Sequence, residues 1–340
     1  MKTLTATLRP HRARPFSALL ILLALLLSAA LVHLGLGARY IDPPTVLRAL
    51  LAFDPHNFAH RVIVDLRLLR LAAALLTGAA LGVAGMVLQV VIRNPLGEPH
   101  ILGLNAGAAL AVVIASALGV SATGMTGRPL IAACGAAALF AVVMLLASAG
   151  RSGLTPLKVT LCGVVLSAFA SSVTAAILIL DEQTLLAMRT WLAGDLAGLS
   201  WAVTAAAALP ALAGLLLALA IAPHLNMLAL GDAVASGLGV PVVRTRLVGL
   251  LAAALLCGAA VSVAGPIGFI GLVVPHIVRR LMTGDIRAGI PLSALCGALL
   301  LLMADIAARM LIAPQELATG VMTALVGAPV FIFIASRMFK

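Results

Sequence analysis

Apolar stretches recur along the whole of this chain, at residues 16–37, 71–92, 101–120, 129–149, 157–180, 200–222, 247–265, 267–278, 291–311 and 319–336. Most are near the ~20 residues that a helix needs to cross a bilayer's hydrocarbon core. Only 10% of the residues are charged, where a soluble domain carries about a quarter. So little polar surface cannot keep the chain in water, and the apolar surface is predicted to face lipid. The sequence predicts an all-α polytopic membrane protein of about ten transmembrane helices. Residues 1–340 read as a single transmembrane domain, with 1–15 as a cytoplasmic N-terminus and 16–37 as an uncleaved first helix.

The formal charge of +11 takes its meaning from its placement. With residue 1 in the cytoplasm, that side receives most of the Lys and Arg, including Arg93, Arg151, Arg244, Arg246, Arg279, Arg280 and Arg287. Against them stand only Glu98, Asp232 and Asp285. On the outer side Arg39, Arg48, Arg61, Arg67, Arg70, Arg128, Arg189 and Arg309 are balanced by Asp42, Asp54, Asp65, Asp181, Glu182, Asp195, Asp305 and Glu316. This is the positive-inside asymmetry, with both termini cytoplasmic. Nucleic acid is not needed to explain the basic charge.

The polar stretches are 38–70, 181–199 and 223–246. Residues 45–53, after Pro43 and Pro44, predict a short helix on the outer surface. The second stretch holds Trp191 and, at its end, Trp201, which suit the headgroup layer, and predicts an interfacial helix before the sixth span. A weak repeat relates 78–85 (GAALGVAG) to 258–265 (GAAVSVAG), and PHI occurs at 99–101 and again at 275–277. The copies run in opposite directions through the predicted membrane, as in transporters built from inverted repeats. The glycines fall in small-residue patterns that let helix backbones approach closely.

No H-E-x-x-H, G-x-S-x-G or paired acids suggest catalysis, and no catalytic, metal or cofactor site is predicted. Cys134, Cys162, Cys257 and Cys296 all fall inside predicted spans and read as small packing residues. His276, beside Arg279 and Arg280, reads as a helix-end residue rather than a ligand. No acid stands mid-span as a proton relay would need, which disfavours an ion-coupled secondary carrier. Asp305 comes nearest, four residues before Arg309 at ion-pair spacing. A G-x-x-x-x-G-K-[ST] phosphate loop needs a lysine after glycine, and none of Lys2, Lys158 and Lys340 fits. An ATPase, if one drives transport, is a separate polypeptide. Residues 223–246 then stand out as an apolar segment on the predicted cytoplasmic side. Gly231 breaks it, Asp232 suits a helix N-cap, and Gly237 and Gly239 end the run before Pro241. Two short helices joined at a glycine could fit a partner groove or rest on lipid.

Several segments resemble, in order and spacing over about residues 60–340, the permease family of binding-protein-dependent ATP importers for iron–siderophores, haem and cobalamin. They are 66–70 (LRLLR), 78–85, 93–107 (RNPLGEPHILGLNAG), 228–240 (LALGDAVASGLGV), 264–279 (AGPIGFIGLVVPHIVR), 304–309 (ADIAAR) and 314–329 (PQELATGVMTALVGAP). The resemblance implies a bacterial inner-membrane subunit of ten helices, paired with a second permease copy or paralogue. It also implies two cytoplasmic ATPase subunits, an external substrate-binding protein and a metal-chelate cargo, with no cofactor. Leu230, Gly231, Asp232, Ala235, Leu238 and Gly239 fall on the family's ATPase-coupling segment. Arg67, Arg70 and Arg309 match arginines that receive acids of the binding protein, the alternative being snorkelling anchors. Arg93, Asn94 and Pro95, with Gly265, Pro266, Pro275 and His276, match structural motifs. Leu69 replaces the usual proline, implying a less kinked entry to the second span. Iron–siderophore is the implied cargo, with haem and cobalamin as alternatives.

Overall fold

The computed structural model describes residues 15–37, 39–119, 128–149, 155–281, 284–313 and 315–338. All but Pro15 of the expected N-terminal tail, together with Arg151 and Pro314, lies outside them.

Among the described residues the regular secondary structure is all helix. In order come α1 (Pro15–Gly35), α2 (Pro43–Leu51), α3 (Phe58–Arg61), a π-helical turn (Val62–Arg67), α4 (Leu68–Val91), α5 (Leu104–Ala117) and α6 (Arg128–Ser148). Then follow α7 (Pro156–Leu180), α8 (Glu182–Leu192), α9 (Trp201–Leu228), α10 (Asp232–Gly237), α11 (Val242–Ala264), α12 (Ile270–Leu281), α13 (Ile286–Met310) and α14 (Thr319–Met338). Polar caps set the starts: Asp42, Asn57, Thr155, Asp181, Ser200 and Asp285 each accept a backbone N–H of the first turn, satisfying donors that a helix leaves free. Among the described residues, seven helical stretches are long and apolar enough to span a membrane, and α5 and the Thr319–Phe333 part of α14 are shorter apolar stretches.

α4 is the central post. It packs against α1, α9, α11, α12 and α13, while α5, α6 and α7 form a second group joined through α11. The first repeat copy lies on α4 and the second on α11. Arg246 at the start of α11 bonds the Val91 carbonyl at the end of α4, so the two run antiparallel. Glycine makes the close approaches possible. A Cβ on Gly78 would stand 2.4 Å from the Gly297 carbonyl oxygen, one on Gly297 2.2 Å from that of Gly78, and one on Gly85 2.0 Å from that of Gly271. In lipid no hydrophobic force drives helices together, so this backbone-to-backbone packing is what binds α4 to α13 and α12.

Four expectations are revised. The stretch expected at 101–120 becomes the shorter α5, and the one expected at 267–278 starts and ends three residues later as α12, because the backbone is irregular over 92–103 and 265–269. Pro223 does not end the sixth span: α9 continues to Leu228, and its last turns take the place of the first short cytoplasmic helix. Gly231, with φ of 117°, is the N-cap of α10, so Asp232 sits in the first turn with its side chain free for an ion pair. Trp191 is buried, its carbonyl against Gly265 where no Cβ fits, whereas Trp201 is half exposed. The entry to α4, where Leu69 replaces proline, is the continuous wide turn of Val62–Arg67.

Substituting Gly85 by Leu should abolish a monodisperse, folded permease in detergent, because its neighbour is backbone and cannot give way. Gly237→Ala, with open space around its Cβ, should leave the elution profile and melting temperature close to native.

Candidate functional site

Three regions gather the polar side chains of this apolar chain. The first lies at the predicted outer end. α1 stops at Gly35, and its last carbonyls have no partner within the helix. Two arginines from other elements supply them. Arg67, placed by the π-helical turn, donates from Nη1 to the carbonyls of Leu34 (2.7 Å) and Gly35 (2.8 Å) and from Nη2 to that of Arg39. Arg309, in the last turn of α13, donates to the carbonyls of Leu36 (3.0 Å) and His33 (3.4 Å). Both side chains are buried.

Asp305, fully buried, sits beneath them. Its carboxylate accepts from Arg70 Nε and Nη2 (3.1 and 2.9 Å), His33 Nε2 (2.8 Å) and Thr319 Oγ1 (2.8 Å), with Arg309 Nε at 3.2 Å. Arg70 also donates to Glu316 Oε2 at 2.7 Å. One carboxylate thus ties together α1, α4, α13 and α14. The spacing of Asp305 and Arg309 made their pairing readable; nothing local pointed to His33 or Thr319. Of the three sequence-predicted arginines, Arg70 reaches furthest toward solvent. It opens with Arg39, Arg67, Leu196, Leu199 and Glu316 onto a cavity of about 420 Å³.

The second region is the predicted inner end. Asp232 accepts from Arg246 Nη2 at 2.9 Å and lies 3.9 Å from Arg93 Nη1. Arg246 Nε also donates to the Val91 carbonyl. Asn226 near the end of α9 bonds Asp285 (2.7 Å) and the Ile286 N–H (2.8 Å), fastening α9 to the start of α13. Ala235 is buried, whereas Leu230, Val234 and Leu238 are exposed (64%, 49% and 58%), so the segment around α10 turns an apolar face outward. Gly239, with φ of 81°, turns the chain toward α11. Arg93 has φ of 52°; Asn94 accepts the Leu96 N–H at 3.0 Å and donates to Thr160 Oγ1 at 3.2 Å.

The third region lies between them; Pro275 and His276 were expected there as structural residues, whereas the parts of Gln89, Asn105 and Glu98 were not. Irregular backbone at membrane depth must find its hydrogen bonds within the protein. Pro275 cannot donate to the Gly271 carbonyl; Gln89 of α4 donates there and to Leu272 instead, at 3.3 and 3.4 Å. His276 Nδ1 lies 2.8 Å from the Leu272 carbonyl. Asn105, fully buried, donates to the Ile267 carbonyl at 2.9 Å. Glu98, assigned by sequence to the cytoplasmic face, is buried and accepts the Phe269 N–H. The correction follows from the irregular 92–103 segment, which carries Glu98 back inward from Arg93. Among the described residues no cluster of three or more metal-ligating side chains occurs.

The profile of the FecCD transport family matches residues 21–337. The chain is 42% identical over 330 residues to the iron(3+)-hydroxamate import system permease protein FhuB of Bacillus subtilis (strain 168), covering 96% of this chain and 85% of that protein. It is 38% identical over 317 residues to the ferric enterobactin transport system permease protein FepD of Escherichia coli (strain K12), covering 93% and 94%. Identity to the Fe(3+) dicitrate transport system permease protein FecD of the same organism is 41% over 323 residues, covering 94% and 99%. A solved ABC transporter of metal-chelate type, in an inward-facing conformation, superimposes with a TM-score of 0.79 at 29% identity over 95% of this chain and 99% of that one.

Replacing Asp305 by Ala leaves the buried Arg309 guanidinium without its counter-ion and Arg70 with Glu316 alone, a loss of about 3–5 kcal/mol. Glu316→Gln, at a partly exposed pair, should cost no more than about 1 kcal/mol. Thermal unfolding in detergent should therefore lower the melting temperature severely for the first and barely for the second.

Proposed function

The chain belongs to the FecCD transport family, and from that membership we propose that it is the permease subunit of an ATP-driven importer carrying an iron(III)–siderophore across the bacterial cytoplasmic membrane. The observation that carries the reading is the near full-length similarity to permeases named for iron(3+)-hydroxamate, ferric enterobactin and ferric dicitrate. The cargo class shared by those names is a bulky ferric chelate. The family is one of transport permeases and not of enzymes. The absence of a phosphate-loop lysine fits a conduit powered by separate ATPase subunits.

On this reading both termini are cytoplasmic, as the charge asymmetry supports, and a second copy or paralogue completes the pathway. The exposed Leu230, Val234 and Leu238 form the surface that an ATPase groove receives, with Gly231, Asp232, Ala235 and Gly239 shaping it. The outer rim receives the binding protein. Arg70 is the arginine best placed to meet an acid there, while Arg67 and Arg309 act by holding α1 and Asp305 in position. ATP-driven movement of the coupling segment re-tilts the spans. Cargo moves because it contacts the two states differently, since equal affinity for both would shift nothing.

Reconstituted with its ATPase and binding protein, the permease should accumulate a ferric trihydroxamate against a gradient; reconstituted alone it should not. Accumulation by the chain alone would overturn the reading. Leu230→Asp with Leu238→Asp should weaken ATPase co-purification by about tenfold or more, as expected when apolar anchors of an interface are lost.

A further inference from the structure

Resting on the transport reading above, we propose that Glu98 is a positioning residue for the transport step: it joins the ATPase-side turn to the intramembrane break before α12. A continuous line of contacts runs between the two. Asp232, the first residue of α10, is ion-paired with Arg246 and lies beside Arg93. Arg246 holds the end of α4 through the Val91 carbonyl, and the chain from Arg93 turns back inward through Gly97, Glu98 and Pro99, all buried. There the Glu98 carboxylate accepts the Phe269 N–H, the residue just before α12.

Phe269 is held from both sides. Its φ of 70° is a left-handed conformation that a bulky side chain rarely adopts. Its ring and Cβ press on Gly327 of α14, where an added Cβ would stand 2.2 Å from the Phe269 Cβ. Asn105 fixes the Ile267 carbonyl two residues earlier. Residues in unfavourable backbone conformations persist only where their surroundings enforce them, and they gather at switch regions. Glu98 is the enforcing group that comes from the turn beside α10. Displacement of that turn therefore reaches Phe269, α12 and α14 without passing through the glycine-packed α4–α13 pair.

The test uses the full complex of permease, ATPase and binding protein in liposomes with a radio-iron-loaded trihydroxamate siderophore. Glu98→Ala should assemble and hydrolyse ATP at the native rate, while chelate moved per ATP falls about tenfold or more, the scale of one lost buried hydrogen bond. Glu98→Gln keeps an acceptor oxygen and should retain coupling. Native coupling in the Ala variant overturns the proposal. So does equal uncoupling in the Gln variant, which would make charge rather than the acceptor decisive, and so does failure of both variants to assemble, which would make Glu98 a folding residue. Amide exchange at Phe269, with and without nucleotide, depends on no cargo. Protection should change with nucleotide in the native and Gln complexes and not in the Ala complex. An unresponsive native Phe269 overturns the inference, whereas a native complex that responds to nucleotide yet moves no chelate fails the cargo reading alone.

Discussion

A helix end or break buried within the protein has no water to receive its free carbonyls and amides, and the polar residues of this chain are arranged around that constraint. Arg67 and Arg309 fill the carbonyls at the end of α1. Gln89 fills those opened by Pro275, and Asn105 and Glu98 serve the break at 265–269. Each of these side chains comes from an element distant in sequence from the group it satisfies. The same bonds that make the breaks tolerable therefore fix how the helices sit against one another.

Asp305 extends the arrangement. Arg309, brought in as a cap, and Arg70 beside it carry positive charge into an apolar setting, where an unpaired charge is costly. A single carboxylate, with a histidine and a threonine as further donors, balances them. A buried ion cluster of this kind contributes less to net stability than its count of contacts suggests. What it does give is a defined arrangement of α1, α4, α13 and α14, since exchanging any of those ends would strand a charge.

Most of the spans, the apolar segment around α10 and the Asp305–Arg309 pair could be read from the sequence, because each depends on local periodicity or spacing. What could not be read depends on partners far apart in the chain. Glu98 looked like one acid of a cytoplasmic loop, since nothing in RNPLGEPH says that the loop turns back inward; Pro99 marks a break without giving its direction. α5 looked longer, and α12 looked as if it began earlier, because apolar composition continues through the irregular backbone before each. Asp232 has the right chemistry for a cap, but Gly231 takes the cap's backbone conformation and frees the carboxylate for Arg246. Pro223 looked like a helix end, and α9 runs through it.

The contact of Gly78 with Gly297 has a mechanical corollary. Sliding α13 along α4 by one turn, a rise of about 5.4 Å, would bring Ser293 or Leu301 opposite Gly78, where no side chain fits. Shear between these two helices is thereby blocked in both directions, and they must travel as one strut. Opening and closing of a passage then comes from pivoting of whole strut against strut, with the non-helical joints of the described chain as hinges.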